Sequence, residues 1–260
     1  MRTILDTIVE HKKVEILKRK GKKPLEILKK APNYKREPLD VVARFQKDRP
    51  SVIAEFKRKS PSKGIISNAI SCESIVTAYR DGGAVASSIL TDRDFFGGSF
   101  RDLESARSVV GDFPLLRKDF MIDAYQVHEA KAYGADIILL IAAILSPKTT
   151  KDLSELAVSL GLTVLLEVHN EEEAGHWNPA ISLVGVNNRD LKNFNLDTEL
   201  SVRLKAYLPQ EAVLISESGL KNPSDVKMLY KAGYQGFLMG ERFMKEADPG
   251  LALRDFISEL

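Results

Sequence analysis

The chain holds a single cysteine, Cys72, in 260 residues, so no internal disulfide forms and no thiolate cluster is available for zinc. Long apolar runs are missing too. The longest, Ile137 to Leu145, is about half of the roughly 20 residues a membrane helix needs and reads as a buried strand. The first residues carry charge without an apolar stretch and a small-residue cleavage site, so no signal peptide is expected and the chain reads as cytoplasmic. Nor is there an excess of one charge. The 38 basic and 36 acidic residues leave a formal net charge of +2, which by itself points to neither nucleic acid nor a membrane surface. The 4 histidines, His11, His128, His169 and His176, show no metal-ligand spacing, so no metal is expected. His169, just past Glu167, reads as a rim residue, Trp177 as core beneath a loop and Cys72 as structural.

The charge that is present clusters early. Lys12, Lys13, Lys18, Arg19, Lys20, Lys22, Lys23, Lys29 and Lys30 fall between residues 11 and 36. A basic helix of this kind could meet nucleic acid. Interspersed Ile4, Ile8, Leu17, Leu25, Ile27 and Leu28 instead suggest one buried and one solvated face, with no nucleic-acid or membrane partner. Pro24, Pro32 and Pro38 break this segment, which reads as a helical extension over 1–47 ahead of a body over 48–260, the whole forming a single domain.

From Ser51 onward the chain alternates. Short runs rich in Val, Ile and Leu predict strands at 51–57, 85–91, 114–118, 136–142, 163–168, 182–187, 212–218 and 235–240. Helical spacing predicts helices at 72–81, 100–110, 124–133, 148–159, 170–177, 197–206, 222–232 and 248–259. Gly82, Gly111, Gly134, Gly161 and Gly233 mark helix ends, and Pro147 and Pro223 stand near helix starts. Strict alternation requires a parallel sheet covered by helices, and eight units make an α/β fold of the (β/α)8 TIM-barrel type. An open doubly wound sheet is disfavoured because no G-x-G-x-x-G follows any strand.

A barrel of this kind builds its site at the C-terminal ends of its strands. Glu55 and Lys57 close the first strand on one face, Lys118 the third, Glu167 the fifth, Asn187 the sixth with Arg189 beyond, and Glu217 and Ser218 the seventh. Charge is costly inside a sheet, so this recurrence at one end predicts an active site. ESGL (217–220) and MGERFMK (239–245), after strands seven and eight, predict a phosphate site. Backbone N–H groups at Gly219, Gly240 and Glu241 and a helix start would face the anion.

These segments carry a resemblance. IAEFKRKSPSKG (53–64) is similar to the signature of indole-3-glycerol phosphate synthases. LTDRDFFGGSF (90–100), PLLRKDFMIDAYQ (114–126), LLEVHNEEE (165–173), GVNNRDLKNF (185–194), SESGL (216–220) and GFLMGERFMKEADPGLAL (236–253) look like further blocks of that family, in its order. The likeness covers nearly the whole chain. It implies a carbon–carbon lyase of tryptophan biosynthesis that closes carboxyphenylaminodeoxyribulose phosphate to indole-3-glycerol phosphate, losing carbon dioxide and water without a cofactor or metal. Lys118 then resembles the general acid, with Lys57 the other lysine available for that role. Glu167 resembles the acid–base group of the dehydration, and Glu55 a second acidic participant. Lys57 would meet the phosphate or the leaving hydroxyl, and Asn187 the substrate hydroxyls. Arg189 and Ser60 would bind the anthranilate carboxylate, and Phe95 and Phe96 would pack on its ring. Glu217 and Ser218 complete the set.

Three positions depart from the family pattern. Ser88 stands where apolar residues are usual and bears on strand packing. Glu241 and Arg242 replace small hydroxyl residues, which leaves the phosphate to backbone donors. Phosphoribosylanthranilate isomerase and the tryptophan synthase α subunit are neighbouring alternatives, but neither is expected to carry EFKRKSPSKG with a helical arm. A barrel that only binds would tolerate loss of Lys118 or Glu167, and both are present. The expected partner is a phosphorylated small molecule, and the expected state a monomer or weak homo-oligomer.

Overall fold

The structure, a computed structural model, describes residues 3–45, 48–60, 64–65, 71–190 and 195–260. Eight parallel strands close on themselves: β1 (Ser51–Phe56), β2 (Ala86–Leu90), β3 (Leu115–Lys118), β4 (Ile137–Ile141), β5 (Thr163–Val168), β6 (Leu183–Asn187), β7 (Val213–Glu217) and β8 (Gly236–Met239). Each pairs with its sequence neighbours, and β8 returns to β1 with Ser51 opposite Gly236. Closure leaves no exposed strand edge. A short antiparallel pair, Lys59–Ser60 with Gly64–Ile65, follows β1.

Alternating side chains divide the core in two. Ile53, Leu116, Leu139, Leu165, Leu183, Ile215 and Leu238 fill the barrel, while Val52, Ala54, Val164, Leu166, Val184, Leu214 and Phe237 face the helices. Both faces are dry, which is why the strands are nearly continuous apolar runs. Burying each of these side chains larger than alanine contributes roughly 1.5–3 kcal/mol.

The helices are α1 (Ile4–Lys22), α2 (Leu25–Leu28), α3 (Cys72–Asp81), α4 (Phe100–Val110), α5 (Ala124–Ala132), α6 (Pro147–Ser159), α7 (Glu171–Ala174), α8 (Leu200–Leu204), α9 (Pro223–Lys231), α10 (Glu241–Met244) and α11 (Pro249–Ser258). Most boundaries fall within a residue of expectation. The exceptions are α7 and α8, which are shorter. α7 stops at Ala174 with Gly175 as its C-cap, before Asn178–Pro179.

α1 starts on a capping box in which Thr3 Oγ1 accepts from Asp6 N at 3.2 Å and Asp6 Oδ2 accepts from Thr3 N at 2.8 Å. Its buried stripe is Leu5, Ile8, Lys12 and Ile16. The expected apolar set is therefore corrected: Leu17 and Ile27 are exposed, and Lys12, expected on the solvated face, is wholly buried. Leu5 and Ile8 join the cluster inside the barrel beside Phe120 and Ile141, so α1 lies across the C-terminal mouth. The chain then descends. Arg36 pairs with Asp136, just before β4, at 2.8 Å, and Phe45 closes the opposite end against Gly236.

Candidate active site

Strand alternation decides which side chains enter the mouth. One step above Ile53 comes Glu55, above Leu116 Lys118, above Leu165 Glu167 and above Ile215 Glu217. On β6 the same phase runs Leu183, Gly185, Asn187, and on β8 Leu238, Gly240. The two glycines are there for space. A Cβ on Gly185 would collide with Glu217 Oε1, and one on Gly240 would stand 2.8 Å from Glu55 Cβ.

Lys118 is the centre of the cluster. Its ammonium lies 2.6 Å from Glu217 Oε2 and 3.3 Å from Glu167 Oε2. Burial alone would lower its pKa, but the carboxylates of Glu217, Glu167 and Glu55 outweigh burial and hold it above the usual lysine value. Lys57 Nζ stands 2.7 Å from Glu55 Oε1. Burial would raise Glu55, yet Lys57 and Lys118 bring it below the ordinary carboxylate range. Glu167 is likewise lowered: burial opposes ionisation, and Lys118, His169 and the Asn187 amide, 3.1 Å from Oε1, overcome it. Glu217 goes the other way. Burial, opposed by Lys118 and reinforced by Glu167, pushes it up to about 7. Three carboxylates face two ammonium groups, and a proton on Glu217 relieves the surplus charge near neutral pH.

Around this cluster the cavity wall is apolar, with Leu90, Phe96, Phe120, Leu139 and Ile141. Phe96 lines it, whereas Phe95 turns aside to pack edge-on against His11 of α1, ring centroids 5.6 Å apart. The Ser60 side chain lies outside the described residues. Asn187 Oδ1 accepts from the Arg189 N–H at 3.1 Å, and Arg189 Nη2 is 3.8 Å from Glu241 Oε2. Past β7, Ser218 at φ 67° and Gly219 at φ 78° are both left-handed. That conformation costs a non-glycine residue about 1–2 kcal/mol, and such strain persists chiefly at functional turns. It places Ser218 and Gly219 on the same cavity wall as Gly240, Glu241 and Arg242. α10 is a single turn, so an anion here would rest on loop N–H groups more than on a helix dipole.

The family model described as indole-3-glycerol phosphate synthase matches residues 5–256. The chain belongs to the indole-3-glycerol phosphate synthase family. An indole-3-glycerol phosphate synthase of Bacteroides thetaiotaomicron is 50% identical over 200 residues, covering 77% of this chain and 76% of the relative. One from a Polaromonas species is 45% identical over 194 residues, covering 74% and 73%. Among solved structures, 3-hexulose-6-phosphate synthase of Salmonella typhimurium superposes with a TM-score of 0.64 at 10% identity, covering 81% of this chain and 98% of that one. At that identity the likeness speaks to the barrel alone. Among the described residues, no helix is long and apolar enough to cross a membrane.

Structure adds residues to the family motifs. Lys12 Nζ sits among Glu15, Asp92 and Asp119 at 2.7, 2.8 and 2.9 Å. Asp92 Oδ1 accepts the N–H groups of Phe95 and Phe96, and Asp119 adjoins Lys118, so α1 ties together the loops that carry both. The signal was available: Lys12 falls in phase with Ile8 and Ile16. Ser88, expected to matter for packing, directs its Oγ at Glu55 Oε2, 3.5 Å away. His169, expected at the rim, is largely buried against Glu167.

Proposed function

We infer that the chain works as an indole-3-glycerol phosphate synthase, converting 1-(2-carboxyphenylamino)-1-deoxyribulose 5-phosphate to indole-3-glycerol phosphate with loss of carbon dioxide and water. The observation that carries this reading is the Lys118 ammonium held between Glu167 and Glu217 on the floor of an apolar-walled cavity. In the assigned roles, the ring carbon bearing the carboxylate attacks the substrate ketone. Lys118 delivers a proton to the oxygen, which becomes a hydroxyl rather than an alkoxide. Loss of the carboxylate as carbon dioxide restores the aromatic ring. The hydroxyl then leaves as water with a proton from the acid side, Lys57 or Lys118, while Glu167 takes the proton from the adjacent carbon. Because a carboxylate departs as carbon dioxide, one turnover takes up one proton. Glu217, protonated near neutrality and 2.6 Å from Lys118, is placed to return it.

Glu55 pairs with Lys57 and holds it in place, and Asn187 orients Glu167 and meets substrate hydroxyls. Arg189 and Ser60 take the anthranilate carboxylate, and Phe96 covers its ring. The N–H groups around Gly219, Gly240 and Glu241, with Lys57, receive the phosphate, and Ser218 shapes that turn. Residues 1–47 belong to the same folding unit, since the carboxylates around Lys12 come from both sides. The test is direct: purified protein and the carboxyphenylamino substrate, with product followed by indole fluorescence. No signal from folded protein refutes the reading.

A further inference from the structure

We propose that His169 is a positioning residue for this reaction, clamped by Glu173 so that it fixes Glu167 in orientation and keeps it ionised as a base. The proposal rests on the reading of Glu167 as the acid–base group. His169 follows β5 directly, and its backbone N–H donates to Glu173 Oε2 at 2.8 Å. Its ring Nδ1 lies 3.0 Å from the same oxygen. Glu173 is itself held by the first turn of α7: Asn170 Nδ2 donates to Glu173 Oε1 at 2.8 Å, and Asn170 Oδ1 accepts from Glu173 N at 2.9 Å.

Both Glu173 oxygens are therefore acceptors, so Nδ1 carries a hydrogen. The other ring nitrogen, Nε2, is buried, lies 3.5 Å from Glu167 Oε1 and has no hydrogen-bond partner among the described residues. A bare lone pair facing a carboxylate would repel it. The arrangement is relieved when Nε2 also carries a proton and faces Glu167 as an imidazolium. The surroundings favour that form. Glu167 on β5, Glu173 on α7 and Glu217 on β7 act on the ring, and Asp190 and Asp197, beyond β6, share a second cavity with it. Lys118 on β3, the cation that opposes protonation of the ring, is itself paired with Glu167 and Glu217. Burial would lower the imidazole pKa, but Glu173, Glu167 and Glu217 raise it. The same Glu167 oxygen accepts from the Asn187 amide, so imidazole and amide flank Oε1 and leave Oε2 toward Lys118.

His169→Asn and His169→Gln, with Glu173→Gln, test the proposal through kcat, KM and the pH profile of kcat. Removing a partner that orients a metal-ligating side chain typically costs about 10–100-fold, and the same order is expected for one that orients a catalytic carboxylate. His169→Asn should lower kcat by about that factor and leave KM within roughly 3-fold, since Arg189, Lys57 and the phosphate turns are untouched. The acid limb of the profile should move to higher pH, because Glu167 loses a cationic neighbour. His169→Gln, one methylene longer than Asn, brings a neutral amide N–H nearer the place of Nε2 and should recover part of kcat without reversing that movement. Glu173→Gln should move the limb in the same direction by less, and it supplies the answer should the histidine variants not fold. An unchanged acid limb in folded variants overturns the proposal even if kcat falls, because loss of packing alone gives that result. Glu167→Gln separates the two readings. If it retains kcat, the role of Glu167 fails. If it loses kcat, adding His169→Asn should cost little more, and independent, multiplying losses would sink the His169 proposal alone.

Discussion

Replacing Lys118 by Met removes the ammonium while keeping chain length and apolar bulk. In the role proposed for Lys118, the chemical consequence is loss of the proton donor to the substrate ketone, worth typically ~10²–10⁴-fold. The structural consequence is just as specific. Glu217 and Glu167, 2.6 and 3.3 Å from the ammonium, are left as buried carboxylates without it. Breaking a buried ion pair by removing one partner costs about 3–5 kcal/mol. Here part of that cost is avoidable, since Glu217 already titrates at about 7 and protonates more readily once the cation is gone. The variant should therefore be close to parental stability near pH 5.5 and clearly weaker near pH 8.5. Steady-state kinetics at both pH values, with urea unfolding on the same samples, separates the effects. A loss of kcat of at least ~10²-fold at pH 5.5, with KM changed little, is expected, because a transition-state interaction has been removed rather than uniform binding. Arg189→Met is the matched control and should mainly raise KM. If folded Lys118→Met keeps kcat within a few-fold, the acid is Lys57.

Three further outcomes follow from the same geometry. Glu217 rises from 4.5 to about 7 on folding, so the folded state binds more protons between those values. That contribution to stability is complete below pH 4.5 and lost as pH passes 7. At 1.36 kcal/mol per unit it is of order 3 kcal/mol at most, and Glu217→Gln should remove that slope from the stability–pH curve. Lys12→Met leaves Asp92 and Asp119 without their shared cation. It should lower stability by roughly 3 kcal/mol above pH 5 and reduce kcat/KM by loosening the Phe96 and Lys118 loops, whereas full activity would show that α1 does not shape the site. Inorganic phosphate should inhibit competitively, and Gly240→Ala, whose added carbon meets Glu55 at 2.8 Å, should weaken that inhibition; non-competitive inhibition contradicts the phosphate placement.

The barrel was legible because each strand is buried on both faces and each helix on one, so apolar period and glycine or proline punctuation agreed with tertiary structure along the body. The charge cluster at the strand ends was legible for a related reason. Glu55, Lys118, Glu167 and Glu217 are charges one step beyond apolar layer residues, where burial is costly unless the groups meet partners. Residues whose burial depends on another element were harder to read. Lys12 looks like one more lysine in a basic helix until Asp92 and Asp119 are seen to meet it. His169 looks like rim until α7 folds back and brings Glu173 to its ring. Phe95 and Phe96 are adjacent in sequence, and only the position of α1 decides that one turns to His11 and the other to the cavity.

The most direct measurement is a single-turnover reaction of the intact protein with the carboxyphenylamino substrate, without added metal, followed by indole fluorescence together with carbon dioxide release. The arrangement around Lys118 predicts one indole-3-glycerol phosphate and one carbon dioxide per active site, abolished or slowed at least 10²-fold in Lys118→Met. Stoichiometric substrate binding by the intact protein with neither product formed would contradict it.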